Sequence, residues 1–255
     1  MLLALDVGNT NVTIGIFEGE ELVAHWRVAT DQERLADEYG ILLLNLLATS
    51  RLEPSSVTDA VIGSVVPPLT PVFEEVCQRY FHTRALTVGI GTRTGVRILY
   101  DNPRDVGADR VVDAVAAIRL YGPPLIVVDF GTATVFDAVS AEGDYLGGAI
   151  APGIGIAAEA LFQRASKLYR VQIERPRSAI GKNTVHAMQS GILFGYVGLV
   201  EGIVRRFQKE LGGEAKVIGT GGWAHIIARE TSVIDVVDEN LTLTGLRIIH
   251  ELSRA

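Results

Sequence analysis

The chain is poor in the residues that mark disulfide-stapled, secreted or nucleic-acid-binding proteins. It has one cysteine, Cys77, in 255 residues, so no intramolecular disulfide can form. Cys77 follows Val76 in an apolar helical pattern, where a packed thiol is expected rather than a nucleophile. Positive charge is scarce as well: 23 Lys and Arg stand against 30 Asp and Glu, and no basic run offsets the net charge of −7 locally. That excludes the electrostatic footprint of a nucleic-acid binder. The N-terminus lacks a charged n-region and its apolar run breaks at Asp6, unlike a signal peptide. Tyr39 to Ser50 reads as the nearest approach to an uncharged membrane span and is too short. The five histidines (His25, His82, His186, His225, His250) show no ligand spacing. A soluble, cytoplasmic protein with no nucleic-acid or membrane partner is expected.

What is present is globular: 48% hydrophobic residues, 27 glycines and 9 prolines, in a length that suits one large domain or two of about 125 residues. Leu2–Val7, Val12–Phe17 and Leu22–Val28 read as three strands on short connections, an antiparallel meander. A helix over Ala36–Leu47 follows, with Thr30 and Asp31 as cap candidates. Then come a strand Ala60–Val65, a helix Thr70–Tyr80, a strand Ala85–Val88 and a helix from about Arg104 to Leu120. Gly122-Pro123-Pro124 marks the boundary between halves, giving lobes over 1–121 and 122–255.

The second half repeats the first. Leu125–Asp129 is again an apolar strand ending in a carboxylate and a Gly/Thr turn. Asp129 and Gly131 match Asp6 and Gly8 at an offset of 123 residues, and Glu142-Gly143 matches Glu18-Gly19 at 124. Such ordered self-similarity indicates an internal duplication. Strands Ile126–Asp129, Thr134–Ser140 and Tyr145–Ala151 precede helices Ile156–Lys167 and Val185–Leu211. Strand Lys216–Ile218, helix Trp223–Arg229, strand Val233–Val236 and helix Leu241–Glu251 complete the order. Tyr169 to Asn183 is a polar insertion, expected at the surface. Two mixed α/β lobes with a cleft between them follow.

The turn Asp6-Val7-Gly8-Asn9-Thr10-Asn11 on its own is equally an ordinary hairpin capped by its Asp. Its echo at Asp129-Phe130-Gly131-Thr132 favours a phosphate clamp: amides and hydroxyls hold phosphates while carboxylates organise cations. A third turn, Gly219-Thr220-Gly221-Gly222, opens a helix and lets a flat ligand or a phosphate approach the backbone. Two other motifs compete. Gly181-Lys182-Asn183-Thr184 fails as a P-loop, since Pro176 stands where its first Gly belongs and Asn183 where Ser or Thr should follow Lys182. Gly153-Ile154-Gly155-Ile156-Ala157-Ala158, with Glu174 downstream, fits the dinucleotide pattern and makes a Rossmann-type oxidoreductase the best rival. That rival leaves both Asp-Gly-Thr turns unexplained.

The three turns resemble the phosphate and adenosine motifs of the acetate/sugar kinase and actin-like ATPase superfamily, whose fold is a duplicated ribonuclease H-like one. Together with Tyr100-Asp101-Asn102-Pro103, Gly107-Ala108-Asp109-Arg110, Gly147-Gly148-Ala149-Ile150-Ala151-Pro152-Gly153 and Gly181 to Gly191, the chain resembles type III pantothenate kinase. The likeness runs from Leu2 to about Glu251. It implies transfer of the ATP γ-phosphoryl group to pantothenate, the first step of coenzyme A biosynthesis. By that resemblance Asp6, Val7, Gly8, Asn9, Thr10, Asn11, Val12, Thr13 and Thr132 contact ATP, which arrives with Mg2+. Asp129 helps bind a monovalent cation, potassium or ammonium. Tyr100, Gly107, Ala108, Asp109, Arg110 and Thr184 lie at the pantothenate site, and Asp109 is the proton acceptor. The plain structural reading of Asp109 is a first-turn carboxylate favoured by the helix dipole; that of Arg110 is a solvated charge. Asp113 departs from the family, which often has Asn there, and a second carboxylate could raise the pKa of its neighbour. Gly191, Gly195, Gly198 and Gly202 share one helix face and suggest close packing, within the lobe or, as the resemblance implies, in a homodimer. Two alternatives remain at this point: a non-catalytic nucleotide-binding regulator on the same fold, and another kinase or polyphosphate-cleaving enzyme of the superfamily.

Overall fold

An unbroken apolar run at the N-terminus calls for a strand buried on both faces, with a partner on each side. In a computed structural model, which describes residues 1–165 and 167–254, β1 (Leu2–Val7) occupies that place. It pairs antiparallel with β2 (Asn11–Glu18), which pairs antiparallel with β3 (Glu21–Ala29). The strict alternation of burial along β3 is that of an edge strand. Helix α1 (Ala36–Thr49) leads to β4 (Asp59–Ser64), parallel to β1. Helix α2 (Thr70–Phe81) leads to β5 (Ala85–Thr87), parallel to β4, and α3 (Ala108–Tyr121) follows.

The second half forms β6 (Leu125–Phe130), β7 (Ala133–Val139), β8 (Tyr145–Pro152), α4 (Ile154–Arg164), α5 (Thr184–Glu210), β9 (Lys216–Thr220), α6 (Ala224–Ala228), β10 (Val236–Val237) and α7 (Leu241–Arg254). Among the described residues there are two five-stranded sheets, ordered β3-β2-β1-β4-β5 and β8-β7-β6-β9-β10. Strand directions agree pair by pair. The duplication read from two short matches is therefore a duplication of topology.

Two compact units emerge: Met1–Val96 with Asp101–Ala116 and Asn240–Ala255, and Arg97–Tyr100 with Ala117–Glu239. They differ from a cut at 121/122 because α7 packs on β1, β2 and β4 rather than on its sequence neighbours. Leu243 fills the space beside Gly15, Leu246 that beside Gly63, and Arg247 lies over the Phe17 ring. The opposite face of the first sheet carries Leu3, Leu5 and Val7 against Tyr39, Leu43 and Leu47 of α1 and Phe73 and Val76 of α2. In the second unit Ile126, Val128 and Phe136 pack with Leu193, Tyr196, Val200 and Val204 of α5.

Five expectations change. Helix α3 does not begin at Arg104: a 3-10 turn, Pro103–Asp105, comes first, and the helix starts beyond Gly107. Neither Thr30 nor Asp31 caps α1. Leu35 is the N-cap, and Glu38 supplies the carboxylate that accepts the Leu35 N–H at 2.9 Å. The polar insertion has no helix or strand but is not wholly external, since Val171 and Ile173 pack on the second core and Pro176 is buried. Finally, the longest apolar helix is not near Tyr39 to Ser50. Helix α5 is long and apolar enough to cross a membrane by length and composition, yet half of its apolar window is buried inside the protein. Its periodic Leu193, Tyr196, Val200 and Val204 make it a core helix. The expected α4, Ile156–Lys167, runs Ile154–Arg164, and Ser166 lies outside the described residues.

The remaining face of α5 is unusual. Gly191, Gly195 and Gly198 are exposed, with open space where each side chain would be. Packing within the lobe does not account for them.

Candidate active site

In the first unit, β1 and β2 are joined by a four-residue turn in which Gly8 N–H donates to the Asn11 carbonyl at 3.0 Å. A Cβ on Gly8 would press on that same oxygen at 3.0 Å. Val7 and Val12 close the hairpin as a fully buried pair, so their side chains are out of reach of a ligand, while Asn9, Thr10 and Asn11 are exposed. Thr13 lies opposite Asp6, which is half-buried and next to Gly63 on β4. Thr30, at the end of β3, pins the turn: its hydroxyl donates to the Gly8 carbonyl at 2.6 Å and its N–H to the Thr10 carbonyl at 3.0 Å. Nothing in the sequence marks that role, because it depends on the register of β3.

Asp109 reaches the same edge of this unit. Val65, just past β4, donates its N–H to the Val7 carbonyl at 3.0 Å, and its side chain lies 3.7 Å from the Cβ position of Gly107. The Asp109 carboxylate folds back into the room that Gly107 leaves, 2.5 Å from that position, and accepts the Arg110 N–H at 2.8 Å. Burial pushes the Asp109 pKa above its ordinary value, against the lowering effect of the Arg110 N–H and guanidinium. Asp113, 3% exposed, is not among the causes of that rise, contrary to expectation. Arg110 is buried rather than a solvated surface charge. A desolvated carboxylate with a raised pKa beside a buried guanidinium is suited to orienting an acidic acceptor and taking its proton.

In the second unit two loops meet at Asp129. Its carboxylate approaches the Cβ position of Gly131 at 3.2 Å, and a Cβ on Gly221 would overlap Asp129 Oδ1. Gly221 also has φ +86, a conformation that favours glycine. The N-terminus of α4 packs on the turn after Asp129: Gly153 N–H donates to the Thr132 carbonyl at 3.1 Å, and a Cβ on Gly153 would overlap that oxygen. Thr132 itself is exposed. A carboxylate oxygen such as that of Asp129 is a hard donor, the chemistry an alkali or alkaline-earth cation prefers. Tyr100 belongs to this unit, with its ring 6.4 Å from that of Tyr145. Thr184 begins α5, capped by the Asn183 side chain, and lines an open groove of about 760 Å³ with Ala157, Leu161, Lys182 and Tyr196.

The dinucleotide motif fails on topology. Gly153 does follow a strand and open a helix, but β8 is an antiparallel edge strand, whereas the dinucleotide motif needs a parallel βαβ unit. Cys77 is buried, with its pKa pushed up to about 12 by desolvation, so it is a core thiol.

The family model for type III pantothenate kinase matches residues 2–206. The type III pantothenate kinase of Myxococcus xanthus (strain DK1622) is 55% identical over 255 residues, covering all of both chains. That of Moorella thermoacetica is 55% identical over 98% of this chain and 99% of its own. Among solved structures, the ethanolamine utilization protein EutJ from Carboxydothermus hydrogenoformans aligns over 97% of this chain and 89% of its own, with TM-score 0.59 and 17% identity. The activator of 2-hydroxyisocaproyl-CoA dehydratase from Clostridium difficile, with bound ADPNP, covers 99% of this chain and 96% of its own at TM-score 0.54 and 12% identity. Identities this low speak for fold alone, and the fold is the duplicated ribonuclease H-like architecture of actin-like ATPases and sugar kinases. With a family match over most of its length, and relatives sharing more than half of its residues end to end, the chain belongs to the type III pantothenate kinase family.

Proposed function

We propose a division of labour for the family's reaction, ATP-dependent phosphorylation of pantothenate to 4'-phosphopantothenate, in which Asp109 accepts the proton and the two Asp-Gly-Thr turns hold the nucleotide. The reaction itself, an early step of coenzyme A biosynthesis, comes with membership of the family. The observation that carries the residue assignment is the buried Asp109 with its raised pKa, held at the edge of the first sheet where the Gly8–Asn11 turn lies. Phosphoryl transfer needs mainly positioning and charge stabilisation, and in-line placement of two substrates can supply roughly 7–11 kcal/mol.

On this reading Asp6 and the amides and hydroxyls of Gly8 to Thr13 bind ATP, joined by Thr132. Asp109 orients the pantothenate hydroxyl and takes its proton as the bond to phosphorus forms. Arg110 receives the pantothenate carboxylate, for which a guanidinium offers a bidentate match; Tyr100, Gly107 and Ala108 line the same substrate. Mg2+ arrives on the ATP phosphates, as one or two carboxylates and substrate oxygens suffice to hold it. Asp129 takes the monovalent cation, which would offset phosphate charge. ADP release measured with a panel of hydroxy acids and sugars tests the substrate. Turnover is expected with pantothenate alone, and about tenfold faster in potassium than in sodium, a difference of about 1.4 kcal/mol. Equal rates in the two salts would remove the cation site.

The open glycine face of α5 supports a homodimer, with Thr184 acting in the partner's site. Gly195→Arg adds bulk where the single chain has open space. It is expected to lower the sedimenting mass from about twice 27.4 kDa to 27.4 kDa and to reduce pantothenate turnover, since like charges brought together in an interface are costly. A wild-type monomer with full activity would end this reading. A cytoplasmic location is the corresponding proposal for the cell.

A further inference from the structure

The chain leaves the first unit for four residues, Arg97–Tyr100, before returning to it at Asp101. Those residues are fastened to the edge of the second sheet. Tyr145 N–H donates to the Arg97 carbonyl at 2.9 Å and Leu99 N–H to the Tyr145 carbonyl at 2.8 Å, a parallel bridge centred on Ile98. The Arg97 guanidinium grips the Asp144 carboxylate with two parallel bonds, Nε to Oδ1 at 2.9 Å and Nη2 to Oδ2. Asp144 is in turn held by its own backbone, with its carbonyl accepting from Ser140 N–H at 2.9 Å. A forked pair of this kind fixes direction as well as distance.

The far end of the strap carries Tyr100, and its surroundings are shaped for the ring. Tyr145 is wholly buried, and its hydroxyl donates to the buried Asp137 carboxylate at 2.7 Å, so that ring cannot turn away. Tyr100 tilts against it at 50°. On the same strand Gly147 has φ +124, and a Cβ there would sit 3.2 Å from two carbons of the Tyr100 ring. Only glycine gives both that backbone conformation and that space.

We infer that Arg97, through Asp144, and Gly147, through the room it leaves, are positioning residues that set Tyr100 for the acceptor substrate. This rests on the reading above that Tyr100 touches pantothenate. Neither Arg97 nor Gly147 takes part in the chemistry, so their loss should act on acceptor binding and leave the phosphoryl donor untouched.

Steady-state kinetics of the full chain test this. Arg97→Ala and Asp144→Ala are each expected to raise the pantothenate KM about tenfold, with kcat and the ATP KM within about twofold of wild type. The double variant should be no worse than either single one, because both remove the same pair. Arg97→Lys should recover part of the loss, and Gly147→Ala should mimic Tyr100→Ala. If Tyr100→Ala raises the pantothenate KM but Arg97→Ala and Gly147→Ala do not, the proposal fails and the reading of Tyr100 stands. An equal rise in the ATP KM would overturn it as general destabilisation. An unchanged KM in Tyr100→Ala, or a wild-type protein inactive on pantothenate, would remove the proposal together with the reading beneath it.

Discussion

Asp109→Asn is expected to lower kcat by about three orders of magnitude while ATP binds as before, the scale of losing a positioned general base. The carboxylate oxygen that accepts the Arg110 N–H is replaced by an amide oxygen that can do the same, so local geometry should hold. Single-turnover phosphoryl transfer and an ATP titration separate the two effects, and near-normal turnover would remove Asp109 from the mechanism. The same substitution should raise the melting temperature. Burial lifts the folded-state pKa of Asp109 above the ordinary 3.8, so between those two values the folded chain holds more protons than the unfolded one. Stability therefore falls as pH rises through that window, and the penalty is complete above it. Asparagine carries no such penalty. At neutral pH the variant should melt above wild type, and the gap should close as pH falls below the ordinary carboxylate range. Activity should run the other way in wild type, lost as Asp109 protonates on its acidic side.

Gly221→Ala is expected to lower the melting temperature by about 10 °C and to abolish the potassium effect. The glycine has φ +86, which costs a side-chain-bearing residue about 1–3 kcal/mol. The added carbon would also overlap Asp129 Oδ1 and lie 2.7 and 2.8 Å from the Phe130 carbonyl carbon and nitrogen. The Phe130 atoms are backbone and cannot swing aside as the Asp129 side chain could, and overpacking of this kind adds about 1–3 kcal/mol. A loss of about 3 kcal/mol in a chain of this size corresponds to roughly 6–12 °C. If Gly221→Ala melts like wild type and still responds to potassium, Asp129 is not held as described.

The path from sequence to candidate site is open where the proposed roles fall on contiguous residues. Asp6 to Thr13 and Asp129 to Thr132 announce themselves as strand-end carboxylates followed by Gly/Thr turns, and the strand order beneath them follows from the duplication. It is closed where a role depends on register or on contact between distant residues. Thr30 reads as a helix cap, but pairing of β2 with β3 carries it to the Gly8 carbonyl. Arg97 and Asp144 are 47 positions apart, and neither stands in a recognisable motif. The start of α3 beyond Gly107 is not legible in the same way, since the glycine alone does not separate the 3-10 turn Pro103–Asp105 from the helix. Only the folded chain shows that the missing side chain there makes room for Asp109.

The return of α7 to the first unit has a consequence for synthesis. Strands β1, β2 and β4 emerge first, yet the helix that covers one face of their sheet is made about 145 residues after the first unit's main segment ends. At about 5–20 residues per second that is a wait on the order of ten seconds. During it, the sheet face beneath Leu243 and Leu246 has no cover from its own chain. The second unit, whose main segment is continuous from Ala117 to Glu239, has all of that segment available before α7 exists. Every segment of the second unit is thus made before the last segment of the first, so the first lobe is the later of the two to have all its parts.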